Sequence, residues 1–145
     1  MPDSERYFAT EAGDQQGGKG AFVTWDQLDP IEMLPGLTFQ PVLGDQVMAN
    51  FVTLEPNTEA PEHWHDEEQI SIVIDGEFEF EVAGEKHLLR RGQAVVIPPN
   101  VPHSARTFDS PCLEIDVFYP PRAGLLEAMG LLDADGNRIA ASEAK

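Results

Sequence analysis

Residues 63–69 read HWHDEEQ, and a further histidine stands at 103 in the run PPNVPH. Three of the chain's four histidines fall in these two places. His63 and His65 are two apart, so on an extended strand both imidazoles leave the same face, and Gln69 shares their parity. His103 must arrive from a distant strand, along a segment whose prolines stiffen its approach. Three imidazoles and one side-chain oxygen leave two positions open on a six-coordinate ion. That set suits one divalent transition metal ion: Mn, Fe, Ni, Co or Zn. An open edge is where water or a substrate binds, whereas structural sites close their shell with Cys or His. Gln69 is neutral, so the ion would keep its full +2 charge and act as a stronger Lewis acid. A high-valent iron oxygenase fits less well, because such sites use a carboxylate. Glu68 competes for the ligand role but has the opposite parity. Glu67 has the right parity and is expected in the loop at the pocket rim.

The elements that must position these groups are short and mostly extended. LTFQPVL, QVMANFVTL, QISIVI, EFEFEV, KHLLR, QAVVI, HSARTF and LEIDVFY are rich in β-branched or aromatic residues and bounded by Gly, Pro, Asn or Asp. QISIVI-DG-EFEFEV reads as a hairpin, with Asp75-Gly76 as its two-residue turn. After that turn Phe78, Phe80 and Val82 face one way while Glu77, Glu79 and Glu81 face water. Gly84 and Glu85 form the next turn, and His87 is an ordinary strand residue. Many short antiparallel strands without βαβ spacing predict an all-β sandwich or small barrel. RAGLLEAMGLL, 122–132, is the one clear helix, and TWDQLD, 24–29, starts a short turn with Thr24 as cap. The polar lead-in 1–20 reads as a flexible arm, 21–134 as a single domain, and 135–145 as a loose tail. DADGNR lacks the remaining ligands of a calcium loop.

A second polar set lies in EIDVFYPPR. Glu114, Asp116 and Phe118 alternate with Leu113, Ile115 and Val117, so one set faces the interior. Asp116 and Phe118 could be an acid–base group and a substrate-packing ring, with Arg122 pairing to an anionic substrate. Pattern alone equally allows a surface Asp, a core Phe and a surface Arg. The formal charge of −17 excludes nucleic acid and anionic membrane as partners. Cys112 is the only cysteine and sits in an apolar run, as a core thiol would. No cationic apolar leader and no apolar run near 18 residues is present, so a cytoplasmic location is expected.

Asn57-x5-His63-x-His65-x3-Gln69-x6-Gly76, followed by Gly92-x5-Pro98-x-Asn100-x2-His103, resembles the two motifs of the cupin superfamily. The resemblance implies a double-stranded β-helix, or jelly-roll barrel, here with a short C-terminal helix. Asn57 and Asn100 replace usual motif glycines, which Asn tolerates because it accepts left-handed dihedrals. Thr107 stands where the pattern often ends in Asn. From about residue 35 to 122 the chain resembles the KdgF-like small cupins, which act on unsaturated uronates. That resemblance implies three His and one Gln on the metal, matching His63, His65, Gln69 and His103. It also implies an Asp-x-Phe-x3-Arg signature, matching Asp116, Phe118 and Arg122, with the aspartate moving a proton and the arginine holding the sugar acid. The expected activity is linearisation of a 4,5-unsaturated uronate, a small anionic molecule. The alternatives are another cupin metalloenzyme, a lyase or dioxygenase, and a non-catalytic metal or sugar-acid binding module. A homodimer is expected, paired through the strand near 37–42, because open sheet edges need covering.

Overall fold

The computed structural model describes residues 3–8 and 18–139. Nine strands form the body: β1 (Ile31–Leu34), β2 (Leu37–Leu43), β3 (Met48–Leu54), β4 (Glu59–His63), β5 (Glu68–Val82), β6 (Glu85–Arg90), β7 (Ala94–Ile97), β8 (His103–Arg106) and β9 (Cys112–Tyr119). One turn of helix, α1 (Ser4–Tyr7), precedes them, and α2 (Ala123–Ala128) follows. All named strand pairings are antiparallel. The larger layer runs β1-β2-β3-β9-β5-β7, and the smaller runs β6-β5-β8-β4. This is the curled antiparallel half-barrel with a small C-terminal helix that the alternating runs and the two motifs imply.

β5 belongs to both layers, and this corrects the expected hairpin. Asp75-Gly76 does not reverse the chain. Its first half pairs with β7 and β9, and its second half with β6 and β8. The register slips between Val73 and Asp75, a bulge that lets one long strand turn the corner between layers. Gly76 sits there at φ 80°. A Cβ at this position would overlap the carbonyl oxygen of Pro111 on the crossing segment. The next turn is centred on Ala83 and Gly84, at φ 50° and 84°, with Glu85 already in β6. Gly84→Ala has open space and carries only the dihedral cost, about 1–3 kcal/mol. Gly76→Ala is expected to lower stability further, read as a larger drop in urea midpoint. Equal drops would show that the Pro111 segment yields freely.

The two layers enclose the core. Leu37, Val52, Leu54, Val73, Phe78, Phe80, Ile97, Ala105 and Cys112 form one buried cluster. Phe78 and Phe80 face inward from β5, while Glu77, Glu79 and Glu81 stay partly exposed, as the alternation requires. Met48, Phe118, Leu125, Leu126 and Leu131 form a second cluster, which the apolar face of α2 closes. Cys112 lies in the first cluster, and burial pushes its thiol up to about 12, with Asp75 and Glu77 adding to the effect. It is therefore an unreactive core thiol.

The ends depart from the sequence reading. Residues 135–139 are not loose. Arg138 donates to the carbonyls of Asp45 (2.7 Å) and Gly44 (2.9 Å), and the Ile139 amide donates to Leu131. Residues 140–145, and 1–2 and 9–17 of the expected arm, lie outside the described residues. Near the start of the domain, Gln40 Nε2 donates to the carbonyls of Trp25 and Leu28, fixing a short 3-10 turn at Trp25–Gln27. Thr24 precedes that turn but makes no side-chain cap. α2 is shorter than 122–132 and ends at Ala128. β2 is covered on both sides, by β1 and β3, so the strand expected to offer an open edge does not. No helix among the described residues is long and apolar enough to cross a membrane.

Candidate metal centre

His63 is the last residue of β4, and it pairs in register with His103, the first residue of β8. His65 follows in a loop, and Gln69 is the second residue of β5. One strand does not run through His63, His65 and Gln69, so strand parity is not what aligns them. The strand is interrupted at residues 64–67, and this loop turns His65 back toward the others. Asn57 and Asn100 hold φ 55° and 64°, the left-handed backbone for which Asn substitutes for glycine. The Asn100 amide donates to the carbonyl of His65, tying the second motif to the first.

The ligand-capable atoms of His63, His65 and His103 lie within 4.8 Å of one another. Each ring has its Nδ1 against a backbone carbonyl: Pro61 for His63 (2.7 Å), Glu67 for His65 (3.0 Å) and Val101 for His103 (2.8 Å). A carbonyl only accepts, so each Nδ1 carries the proton and each Nε2 presents its lone pair. His103 is 2% exposed, and its Nε2 has no partner. Gln69 Oε1 stands 3.0 Å from His65 Nε2. Two acceptors facing each other at that distance are reconciled by a cation between them. The donor set therefore fits a divalent ion bound by His63, His65, His103 and Gln69.

Burial lowers the basicity of all three imidazoles, and the positive charge of Arg122 adds to the effect. It is strongest at His103, which falls to about 4. Neutral imidazole is the ligating form, so the pocket favours the state a metal needs. Phe80 stacks against His103, with planes 7° apart and centroids 6.1 Å apart, and fixes that ring.

β9 sends Cys112, Glu114, Asp116 and Phe118 inward. Asp116 and Arg122 line the same cavity as His63, Gln69 and His103, whose apolar wall includes Leu37, Phe39, Val52 and Leu54. Of the two readings open for Asp116 and Arg122, the structure places both inside. Burial lowers the Arg122 guanidinium, and Asp116 and Glu67 oppose that shift. Phe118, expected to pack against substrate, is instead 0% exposed. Its ring supports the edge of His65 at 5.7 Å and carries the Arg122 guanidinium on its face at 5.6 Å. It shapes the site from behind, because α2 and its leucines enclose it.

Glu68 is exposed, as its parity requires. Glu67 lies in the loop between β4 and β5, as expected, but its side chain is turned inward. It is buried, accepts from the Ala123 amide at 3.0 Å and lies 3.5 Å from His65 Nδ1. It joins the start of α2 to the metal loop, a role its position in an acidic run concealed. Glu114 is buried, and burial first, then Asp116, raises its carboxyl well above the usual range. The shift favours the protonated form of Glu114 beside Asp116. Ser71 is a further buried polar group that no motif marked. His87 is exposed and pairs with Glu85, away from the site.

A family model for the cupin domain matches residues 50–118. The pectin degradation protein KdgF of Dickeya dadantii (strain 3937) is 37% identical over 65 residues, 44% of this chain and 59% of that protein. H2HPP isomerase of Bacillus subtilis is 34% identical over 102 residues, 69% of this chain and 43% of that protein. The chain thus spans about half the length of these curated relatives. The structure of KdgF from Halomonas sp. matches with a TM-score of 0.70 and 32% identity, covering 74% of this chain and 100% of that one.

Proposed function

We propose, for a chain that belongs to the cupin superfamily among the small single-domain cupins similar to KdgF, a metal-dependent isomerase that linearises a 4,5-unsaturated monouronate. The observation that carries this reading is the shared cavity of His63, Gln69, His103, Asp116 and Arg122. It sets a ligand cluster, a carboxylate and a guanidinium around one small space. A pectin degradation protein and an isomerase among its relatives support the substrate and the reaction class.

The reaction balances without a co-reactant. The hemiacetal hydroxyl loses its proton, the bond from C1 to the ring oxygen breaks, and an aldehyde forms at C1. The ring oxygen leaves as the enol oxygen on C5, and the enol becomes a ketone when C4 gains a proton. Asp116 takes the first proton and returns one, which requires hydrogen-bond reach of the substrate. Arg122 pairs with the sugar carboxylate. A bound divalent ion (Mn, Fe, Ni, Co or Zn) supplies positive charge that holds substrate oxygens and stabilises the negative charge developing on them.

The test is loss of the 4,5-double-bond absorbance of an unsaturated monouronate, after metal analysis and reconstitution. Turnover well above the spontaneous rate is expected. Tight uronate binding with no turnover under any of these metals would leave a binding module instead. Oxygen uptake with iron restored would point to a dioxygenase. In this reading a homodimer pairs through β1, because β1 is an outer strand of the larger layer and β2 is not.

A further inference from the structure

Ser71 stands two residues after Gln69 on β5 and directly opposite Asp116 on β9. It is 0% exposed. Gln69 Nε2 donates to its Oγ at 2.8 Å, and that Oγ donates to Asp116 Oδ1 at 2.6 Å. The direction of this chain follows from proton counts. A carboxylate only accepts, and a hydroxyl has one proton to give. The Ser71 proton therefore goes to Asp116, and its lone pair faces Gln69. Only the NH2 end of the amide satisfies that lone pair. The other end, Oε1, is left facing His65 Nε2.

This orientation is costly without an ion, because His65 Nε2 also presents a lone pair. A Gln69 amide turned by half a revolution would donate its NH2 to His65. That bond would satisfy both groups and would point a donor, not an acceptor, at the cation. A carboxylate at position 69 would not face this choice, since its two oxygens are equivalent. A neutral amide ligand needs something to decide which end faces the metal.

We propose that Ser71 is the positioning residue that locks the Gln69 amide with its oxygen toward the three imidazoles, anchored on Asp116. The same hydroxyl holds one oxygen of Asp116, so the ligand set and the proton-transfer group share one support. The inference rests on the metal-site reading above but not on the uronate substrate.

The experiment measures cobalt(II) affinity by chelator competition, together with the visible spectrum of the cobalt-loaded protein. Ser71→Thr and Ser71→Val form an isosteric pair in which only the hydroxyl differs. The Thr variant is expected to bind cobalt within a fewfold of wild type. The Val variant is expected to bind about 10–100-fold more weakly, the scale for losing a group that orients a metal ligand. Its spectrum should shift as the amide oxygen leaves the ion. Ser71→Ala repeats the loss with a smaller side chain, so a packing failure of Val does not decide the matter. In a Gln69→Glu background, Ser71→Ala should change affinity less than about twofold, because a carboxylate needs no orientation. An equal loss in the Gln and Glu backgrounds, or no loss in either hydroxyl-free variant, would overturn the role given to Ser71. Wild-type protein that takes up no cobalt would remove the metal site itself, a result distinct from those two.

Discussion

His103→Ala leaves a folded protein that no longer retains its metal. The wild type is expected to carry about one divalent transition ion per chain, and the variant should hold it far more weakly than the roughly 10–100-fold loss typical of an outer partner. The reason is geometric. His103 Nε2 is buried and unpartnered, and its lone pair has no use in the apoprotein. His65→Ala should behave alike, since its ring completes the cluster. His87→Ala, on the exposed strand β6, is the control and should change nothing. Inductively coupled plasma analysis of the four proteins decides the matter. Full metal content in His103→Ala would refute the assignment of the ligand set. The metal-free protein should also lose stability on acidification. The folded state holds these imidazoles below their ordinary value of 6.5, and His103 at about 4. Between those values the unfolded chain binds more protons than the folded one, so stability falls as pH drops from about 6.5 toward 4.

Most strands were readable as short runs rich in β-branched or aromatic residues bounded by turn residues, and β9 also because burial on one face imposes a period of two. LTFQPVL coincides with β2, and LEIDVFY lies within β9. β1 and β4 escaped notice for a physical reason. EAPEH carries a proline and little apolar surface, which is tolerated because β4 is an outer strand with a broken register between Ala60 and His63. Asp75-Gly76 misled because the positive φ that permits a hairpin turn also permits a bulge. What distinguishes them is the Pro111 segment crossing at Gly76, a contact between residues far apart in sequence.

The site divides in the same way. His63, His65, Gln69 and His103 were visible because metal ligation demands particular atoms at particular spacings. Asp116 was visible as a type but not as a location, since both faces of EIDVF are suited to a packed layer. Phe118 was misplaced because alternation assigns an inward direction but cannot tell a cavity wall from the core beneath α2. Glu67 was lost in a run of acids, and its bond to the Ala123 amide depends on where α2 lands. Ser71 did leave a trace. It shares the inward parity of Gln69 and Val73, and a hydroxyl at such a position requires buried partners.

Asp116→Asn is expected to keep fold and metal while turnover of the unsaturated uronate falls about 100-fold or more, the scale for losing a general acid–base group. Asn is close to Asp in size and keeps one oxygen to accept from Ser71, so the support of Gln69 survives. What it lacks is the ability to take a proton at the cavity wall. Arg122→Ala should act differently. If the carboxylate contact is equal in ground and transition states, KM rises more than kcat falls. The loss of its packing on Phe118 is a smaller, structural effect, visible in thermal stability and not in the ratio of the two constants. Steady-state kinetics with wild type and both variants, each checked for metal content, separates these roles. A metal-loaded Asp116→Asn protein with unchanged kcat would remove Asp116 from the chemistry and leave the proton to another group. A wild-type rate no faster than the spontaneous reaction would remove the uronate itself and leave a metal-binding cupin whose substrate is a different small anion.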